Sequence, residues 1–131
     1  MIEKKDIAVY VQAQKKKYGE NVQPIYEIML FSKPGTEAVA KTAEGADSGF
    51  PDIGSYGVMG FYYELDSAIK AMHTNSLDIR ETVYNAGMVI CRFPGLYNCV
   101  TKDGRIYFVW NEEMGGFYEA EEPPLFRILA M

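Results

Sequence analysis

The first clear pattern of apolar positions lies in residues 6–18, where apolar and aromatic side chains recur three and four positions apart. This spacing is typical of an amphipathic helix, with Asp6 as the predicted N-cap and Gly19 as the residue that stops it. The same residues also alternate as those of a β-strand do, so a strand is the other interpretation. Because the start and stop signals fit only the helix, we predict a helix at 6–18.

Two further segments carry helix signals. In residues 66–75, Asp66 is the predicted cap, Asn75 is the predicted left-handed terminator, and the apolar side chains share one face. Residues 36–44 begin with threonine and are followed by glycine, which also permits a short helix. The two helices that we assign to the fold are 6–18 and 66–75.

Five segments are rich in β-branched and aromatic residues and are bounded by turn sequences, as strands are. Residues 105–111 carry apolar side chains on both alternating faces, which indicates a central strand or one covered on two sides. Asp103-Gly104 and Met114-Gly115-Gly116 are predicted hairpin turns. We predict an α+β fold, a mostly antiparallel sheet of about five strands with two helices packed on one face. The predicted strands are 25–31, 58–64, 88–93, 105–111 and 117–120.

The least regular part of the chain follows the first predicted strand. Residues 46–57 are rich in glycine yet carry Phe50, Ile53 and Tyr56. Long loops in compact domains are often functional, and three apolar side chains indicate that this one packs on something. The C-terminal residues 125–131 are too apolar to lie free in water, so we expect them to pack on the sheet or on a partner.

Length and charge narrow the possible classes of function. The 131 residues fit a single domain, 1–131, with an N-terminal part at 1–57 and a strand-helix-strand-hairpin unit at 58–131. The formal charge of -5 disfavours binding to duplex nucleic acid, where cationic side chains supply most of the affinity. No apolar run is long enough to cross a bilayer and no signal-peptide pattern opens the chain. We therefore expect a cytoplasmic protein without a membrane partner.

Residues that might carry catalysis or bind a metal are few. With one histidine, His73, and two cysteines, the chain has too few ligands for a closed His/Cys zinc site. His73 is either a general base or, as we favour, a helix-end residue stabilised by the helix dipole. Cys91 and Cys99 lack the CxxC spacing of a redox pair. The glutamates of 112–122 either hold a hard cation or, more simply, form a solvated rim. We predict no catalytic residue, no metal and no cofactor.

The aromatic residues are the most informative feature for function. They make up 14% of the chain, which is more ring surface than two helices are expected to cover. Arg92 interrupts the apolar segment 88–93, where it either forms a salt bridge or faces an anionic ligand or partner. We predict a ligand- or partner-binding surface formed by Phe50, Tyr56, Tyr62, Arg92 and Trp110.

Short aromatic motifs occupy the second half of the chain: GFYYE at 60–64, PGLY at 94–97, YFVWN at 107–111 and GFYE at 116–119. With these motifs, the chain resembles small uncharacterised proteins of gut Firmicutes and of their phages and mobile elements. The resemblance covers about residues 58–124 and is one of general sequence style. The resemblance implies a bacterial or phage setting. It implies no catalytic residues.

These observations favour binding over catalysis. The leading hypothesis is a non-enzymatic binding or interaction protein, in that setting a phage or mobile-element accessory factor, whose partner is another protein or a second copy of the chain. The alternative is a small-molecule or nucleotide-binding protein with a pocket formed by 46–57, Tyr62 and Arg92. An enzyme that uses His73 or paired carboxylates is the third hypothesis.

Overall fold

A computed structural model of the protein describes residues 1–31, 56–75, 84–95 and 102–122. These residues form two α-helices, one short 3₁₀ helix and five β-strands. In chain order they are α1 (Lys4–Tyr18), β1 (Ile25–Phe31), β2 (Tyr56–Tyr62), α2 (Leu65–Thr74), β3 (Ala86–Arg92), the 3₁₀ helix (Lys102–Gly104), β4 (Arg105–Asn111) and β5 (Gly116–Glu119).

The five strands form one sheet in the order β2-β1-β3-β4-β5, and each neighbouring pair is antiparallel. Both helices pack on the same face of this sheet, here called the helix face. The predicted α+β class and the antiparallel five-stranded sheet are thus confirmed. The first helix is also confirmed as a helix, and the alternative strand interpretation of 6–18 is wrong.

The main core lies between the helices and the helix face. Each helix contributes its apolar stripe, and the strands contribute every second side chain, as the two periodicities require. The buried members are Ile7, Val11, Ala68, Ala71 and Met72 from the helices and Tyr26, Ile28, Leu30, Val89, Cys91, Ile106, Phe108 and Phe117 from the strands, together with Phe93.

The opposite side of the sheet, here called the second face, is apolar and buried as well. Its buried cluster comes from the alternate positions of the three central strands: Met29, Phe31, Ala86, Met88, Ile90 and Tyr107. The prediction that strand 105–111 is central or covered on both sides is confirmed, because Ile106 and Phe108 lie in the main core while Tyr107 lies in this second cluster.

Both helices begin earlier than the sequence signals indicate. The N-cap of α1 is Glu3, and Asp6 lies three residues further on, where its carboxylate accepts a hydrogen bond from the Glu3 N–H at 2.8 Å. This is the second half of a capping box, so Asp6 stabilises the same helix end from inside the first turn. The N-cap of α2 is Glu64, and Asp66 forms an ion pair with Lys4 that links the two helices.

The predicted helix ends agree with the structure. Gly19 follows α1 with φ +114 and donates its N–H to the carbonyl of Lys15. Asn75 follows α2 in the left-handed conformation, φ 51, and donates to the carbonyls of Ala71 and Met72. Glycine and asparagine tolerate positive φ better than other residues do, which is why they mark these ends.

Strand β2 begins at Tyr56, so the prediction that places Tyr56 in a loop is wrong. Its backbone pairs with Phe31 at the end of β1, and Gly57 pairs with Leu30. The glycines at 54 and 57 favoured a loop in the sequence, whereas the pairing with β1 extends the strand across Gly57. β3 and β5 are likewise shifted by one or two residues from their predicted bounds.

The turn at Asp103-Gly104 differs from the predicted two-residue hairpin. It belongs to a 3₁₀ helix, and the pairing of β3 with β4 ends at Ile90 and Arg105. Gly104 lies against the ring of Tyr10 on α1, where a Cβ would come within 2.8 Å of a ring carbon. The glycine is therefore used for close packing of α1 rather than for a tight hairpin. The second predicted turn, Met114 to Gly116, does join β4 to β5.

Several predictions fall outside the described residues. They are the short helix at 36–44, residues 46–55 of the predicted loop with Phe50, and the apolar tail at 125–131.

Candidate functional site

Strand β2 is the last strand at one edge of the sheet, and it contains a β-bulge. Ile28 of β1 pairs with Gly60 and Met29 pairs with Val58, so Met59 is an extra residue in β2. Gly60 has φ +147, a conformation that side chains with a Cβ rarely adopt. The bulge therefore depends on glycine at this position.

The bulge places two apolar side chains on the same face. Val58 pairs with Met29 and Phe61 pairs with Glu27, and these two partners occupy alternate positions of β1 that both belong to the second face. In a regular strand, residues three apart point to opposite faces. Because of the extra residue, Val58 and Phe61 instead lie side by side on the second face.

These two side chains are exposed, although the second face is buried in the central strands. Val58 is 49% exposed, Phe61 is 58% exposed, and Tyr63, one residue beyond β2, is 85% exposed. We call these three residues the β2 strip. Single exposed apolar residues are ordinary, whereas three within six residues of an edge strand form a surface suited to another chain.

The backbone of β2 has the same character. Within the described residues, its one pairing strand is β1. No residue of Tyr56–Tyr62 is charged. Edge strands are usually protected against pairing by charged side chains, by proline, by short length or by a β-bulge, and of these features this seven-residue strand has only the bulge.

Strand β5, at the other edge, is covered by the end of α2. Gly116 lies so close to that helix that a Cβ on it would be 1.9 Å from the carbonyl oxygen of His73. The imidazole of His73 stacks on the ring of Tyr118, with centroids 4.4 Å apart, and its Nε2 lies 2.5 Å from Oε1 of Glu119. These contacts attach the helix to the strand, so His73 has a structural role at this edge.

The predicted binding residues do not converge on one site. Tyr62 packs against the main core on the helix face, and Trp110 is partly buried there with its ring edge-on to Phe117 at 5.1 Å. Arg92 lies on the second face, so the structure does not bring Tyr62 and Arg92 together. Tyr56 begins β2, and Phe50 lies outside the described residues.

Arg92 forms an ion pair, which is one of the two roles that the sequence allowed. Its Nη2 lies 3.3 Å from Oε1 of Glu27, and both side chains are largely buried. A second pair lies further across the same face, where the guanidinium of Arg105 donates to both carboxylate oxygens of Glu122 at 2.7 and 3.0 Å. Each of these two buried cations therefore has a carboxylate partner within the chain.

A cavity of about 370 Å³ lies beside the second of these pairs, between the start of the chain and the residues after β5. Most of its charged groups already have partners within the chain. The N-terminal amine contacts Glu121, Asp6 accepts from the backbone of Glu3, and Glu122 binds Arg105. Among the described residues, no group of three or more histidine, cysteine, aspartate or glutamate side chains is placed to hold a metal ion.

Burial raises three pKa values in the interior. Desolvation raises the pKa of the Cys91 thiol to about 12, and the pKa values of Tyr26 and Tyr107 to about 12 as well. The Cys91 thiol is thus protonated at neutral pH and is a poor nucleophile.

Sequence reasoning did not select the β2 strip, although Phe61 and Tyr63 belong to the aromatic-rich segment that it noted. The usable signal was Gly60 in the middle of a strand pattern, because an isolated glycine there often marks a bulge. Which side chains the bulge exposes depends on the pairing with β1, and no local pattern contains that information.

Comparison of the chain with protein-family models, with curated proteins and with solved structures finds no match. Neither α1 nor α2, the α-helices of the described part, has the length and apolar character needed to cross a membrane.

Proposed function

We propose that this protein is a non-enzymatic interaction protein, and that it binds an extended segment of a protein partner along strand β2. The observation that carries the proposal is the exposure of Val58 and Phe61 on an uncharged edge strand, with exposed Tyr63 just beyond its end. The bacterial or phage setting implied by the resemblance stays a prediction.

Strand addition suits this edge for a physical reason. An added strand gains affinity from main-chain hydrogen bonds, which an edge strand offers, and specificity from side chains that alternate between the two faces. On the second face, Val58 and Phe61 would lie beside the incoming strand, and burying their apolar surface favours the complex. No charge in β2 has to be desolvated when this happens.

Two features support binding rather than catalysis. The thiol of Cys91 is buried in the main core with its pKa raised to about 12, so it is protonated at neutral pH. The imidazole of His73 is engaged by Glu119 and Tyr118 in attaching α2 to β5. No observation favours the alternative pocket, because Tyr62 and Arg92 lie on opposite faces of the sheet.

The proposal is tested by selecting ligands from a random-peptide library displayed on phage. The bait is the whole protein, compared with the double variant Val58→Lys/Phe61→Lys. We expect the wild type to enrich apolar, β-branched peptides, and we expect these peptides to lose at least tenfold in affinity for the double variant. The loss follows because two lysines at a sheet edge oppose pairing.

The matched control is Val9→Lys/Met114→Lys, which adds the same charge at two exposed apolar residues away from β2. This control is expected to bind the selected peptides as the wild type does. Peptides that bind all three proteins equally, or a wild type that is monomeric and still enriches no peptide, would contradict the proposal.

A further inference from the structure

The identity of the partner strand can be argued from β2 itself, and this inference rests on the proposed function. We infer that the strand added to β2 is β2 of a second copy of the chain, antiparallel and related by a two-fold axis between Met59 and Gly60. The two sheets would then continue into each other across the axis.

The first argument is self-complementary register. A two-fold axis between Met59 and Gly60 places Val58 of each copy directly opposite Phe61 of the other. Directly opposite residues in an antiparallel pair point to the same face, and Val58 and Phe61 do share the second face. The pairing therefore makes two aromatic–β-branched contacts, a favourable type of cross-strand pair.

The bulge is what makes this register possible. In a regular strand, Val58 and Phe61 are three residues apart, so they would point to opposite faces and would not meet across a two-fold axis. Shifting the register by one residue in either direction places Phe61 opposite Gly57 or opposite Met59, whose side chain packs on the helix face. Of these three registers, only the proposed one pairs the exposed side chains of Val58 and Phe61 with each other.

The second argument is charge. The chain carries a formal charge of -5, so electrostatic repulsion between two copies is smallest when they meet at a surface without acidic residues. Strand β2 has no charged residue, whereas β5 and the residues beside it carry Glu112, Glu113, Glu119, Glu121 and Glu122. Because α2 also packs closely against β5, and β5 is flanked by acidic residues, pairing of β2 with β2 is favoured over pairing of β2 with β5 of another copy.

The inference is tested by cysteine cross-linking at the proposed register, in a Cys99→Ser background. The double variant Val58→Cys/Phe61→Cys brings cysteines of two copies directly opposite each other, within reach of a disulfide. In the single variants Val58→Cys and Phe61→Cys, equivalent residues of the two copies are offset along the strands, beyond that reach. We expect oxidation to give covalent dimers on a non-reducing gel for the double variant and monomers for both single variants.

Light scattering after size exclusion supplies the second readout. The wild type is expected to approach twice the chain mass of 14.8 kDa as its concentration rises. The variant Val58→Lys/Phe61→Lys is expected to remain at one chain mass, and the control Val9→Lys/Met114→Lys to behave as the wild type does. Circular dichroism checks that each variant is folded.

Three results would overturn the inference. A dimer that persists in Val58→Lys/Phe61→Lys forms at another surface, and cross-links in a single variant indicate another register. A wild type that stays monomeric at every concentration has no second copy as partner. If such a monomer still binds the selected peptides through the β2 strip, the proposed function stands and only the inference fails; if it binds none, both fail.

Discussion

The two edges of the sheet differ in how they are protected. Strand β5 has four residues, lies under the end of α2 and is flanked by glutamates. Strand β2 has seven residues, no charge and two exposed apolar side chains on one face. Since an edge strand without charged side chains pairs more readily with other chains, the difference supports β2 as the edge of the proposed interaction.

Helix α2 stands in a different relation to each of the two edges of the sheet. Helix α2 directly follows β2, yet its far end packs on β5 and holds it through His73. His73, which the sequence offered as a possible general base, forms a small cluster with the carboxylate of Glu119 and the ring of Tyr118. In the structure these three side chains attach helix to strand at the covered edge, and the proposed binding surface lies at the other edge.

The largest expected effect comes from replacing one phenylalanine at each edge. Phe117 of β5 is 1% exposed, so Phe117→Ala leaves a cavity and is expected to lower the free energy of unfolding by about 4 kcal/mol. Phe61→Ala removes a side chain that is already exposed, and the expected loss is below about 0.5 kcal/mol. Urea unfolding of both variants at low protein concentration measures the difference, and equal losses would contradict the assigned exposures.

The next largest effect concerns the ion pairs on the second face. Arg105→Met leaves Glu122 buried without its bidentate partner, and we expect a loss of about 3 kcal/mol in the free energy of unfolding. Arg92→Met breaks one longer hydrogen bond to Glu27 beside β2, and a loss of about 1.5 kcal/mol is expected. A larger loss for Arg92→Met than for Arg105→Met, in the same urea experiment, would show that the pair beside β2 is the stronger one.

A smaller effect is expected from adding a methyl group at the covered edge. In Gly116→Ala, the new Cβ meets the carbonyl group of His73, which belongs to the helix backbone and cannot move aside cheaply. We expect a loss of about 2 kcal/mol from this overpacking. The neighbouring control Gly115→Ala meets no atom within 4 Å and suffers only the strain of φ +69, about 1 kcal/mol. Thermal unfolding distinguishes the two, and a Gly116→Ala variant as stable as the wild type would refute the close contact.

The smallest effect is the response of the interior to alkaline pH. Because burial raises the pKa of Cys91 from 9.0 to about 12, its stabilising contribution is complete below pH 9 and is lost as pH rises towards 12. Between pH 8 and pH 10, we expect the wild type to lose about 1 kcal/mol more than Cys91→Ala does. The lysine variants of the β2 strip should keep this loss, since Cys91 lies in the main core. An identical pH dependence of the wild type and Cys91→Ala would contradict the burial of the thiol.

Much of the fold follows from local sequence patterns. The strands Ile25–Phe31 and Arg105–Asn111 have the predicted bounds, because uninterrupted runs of β-forming residues are closed by turn residues on both sides. The ends of α1 and α2 agree for a similar reason, since Gly19 and Asn75 adopt the positive φ that these residue types tolerate. The helix starts differ because a capping box offers two acidic residues for one helix end.

The candidate site follows less well from the sequence. The contact between His73 and Glu119 joins residues 46 positions apart, so it depends on how α2 crosses the sheet. The exposure of Val58 and Phe61 depends on strand order and on the bulge at Met59, and both are properties of pairing with β1. The excess of aromatic residues indicated a binding surface, but only the sheet topology separates the buried rings from the exposed ones.

Amide hydrogen exchange of β2 and β5 at low and at high protein concentration tests the contrast between the edges most directly. If β2 is the edge that pairs with a second copy, its amides become more protected as concentration rises, while those of β5, already under α2, do not change. Protection of β2 that is independent of concentration, or protection that grows at β5 instead, would contradict this account.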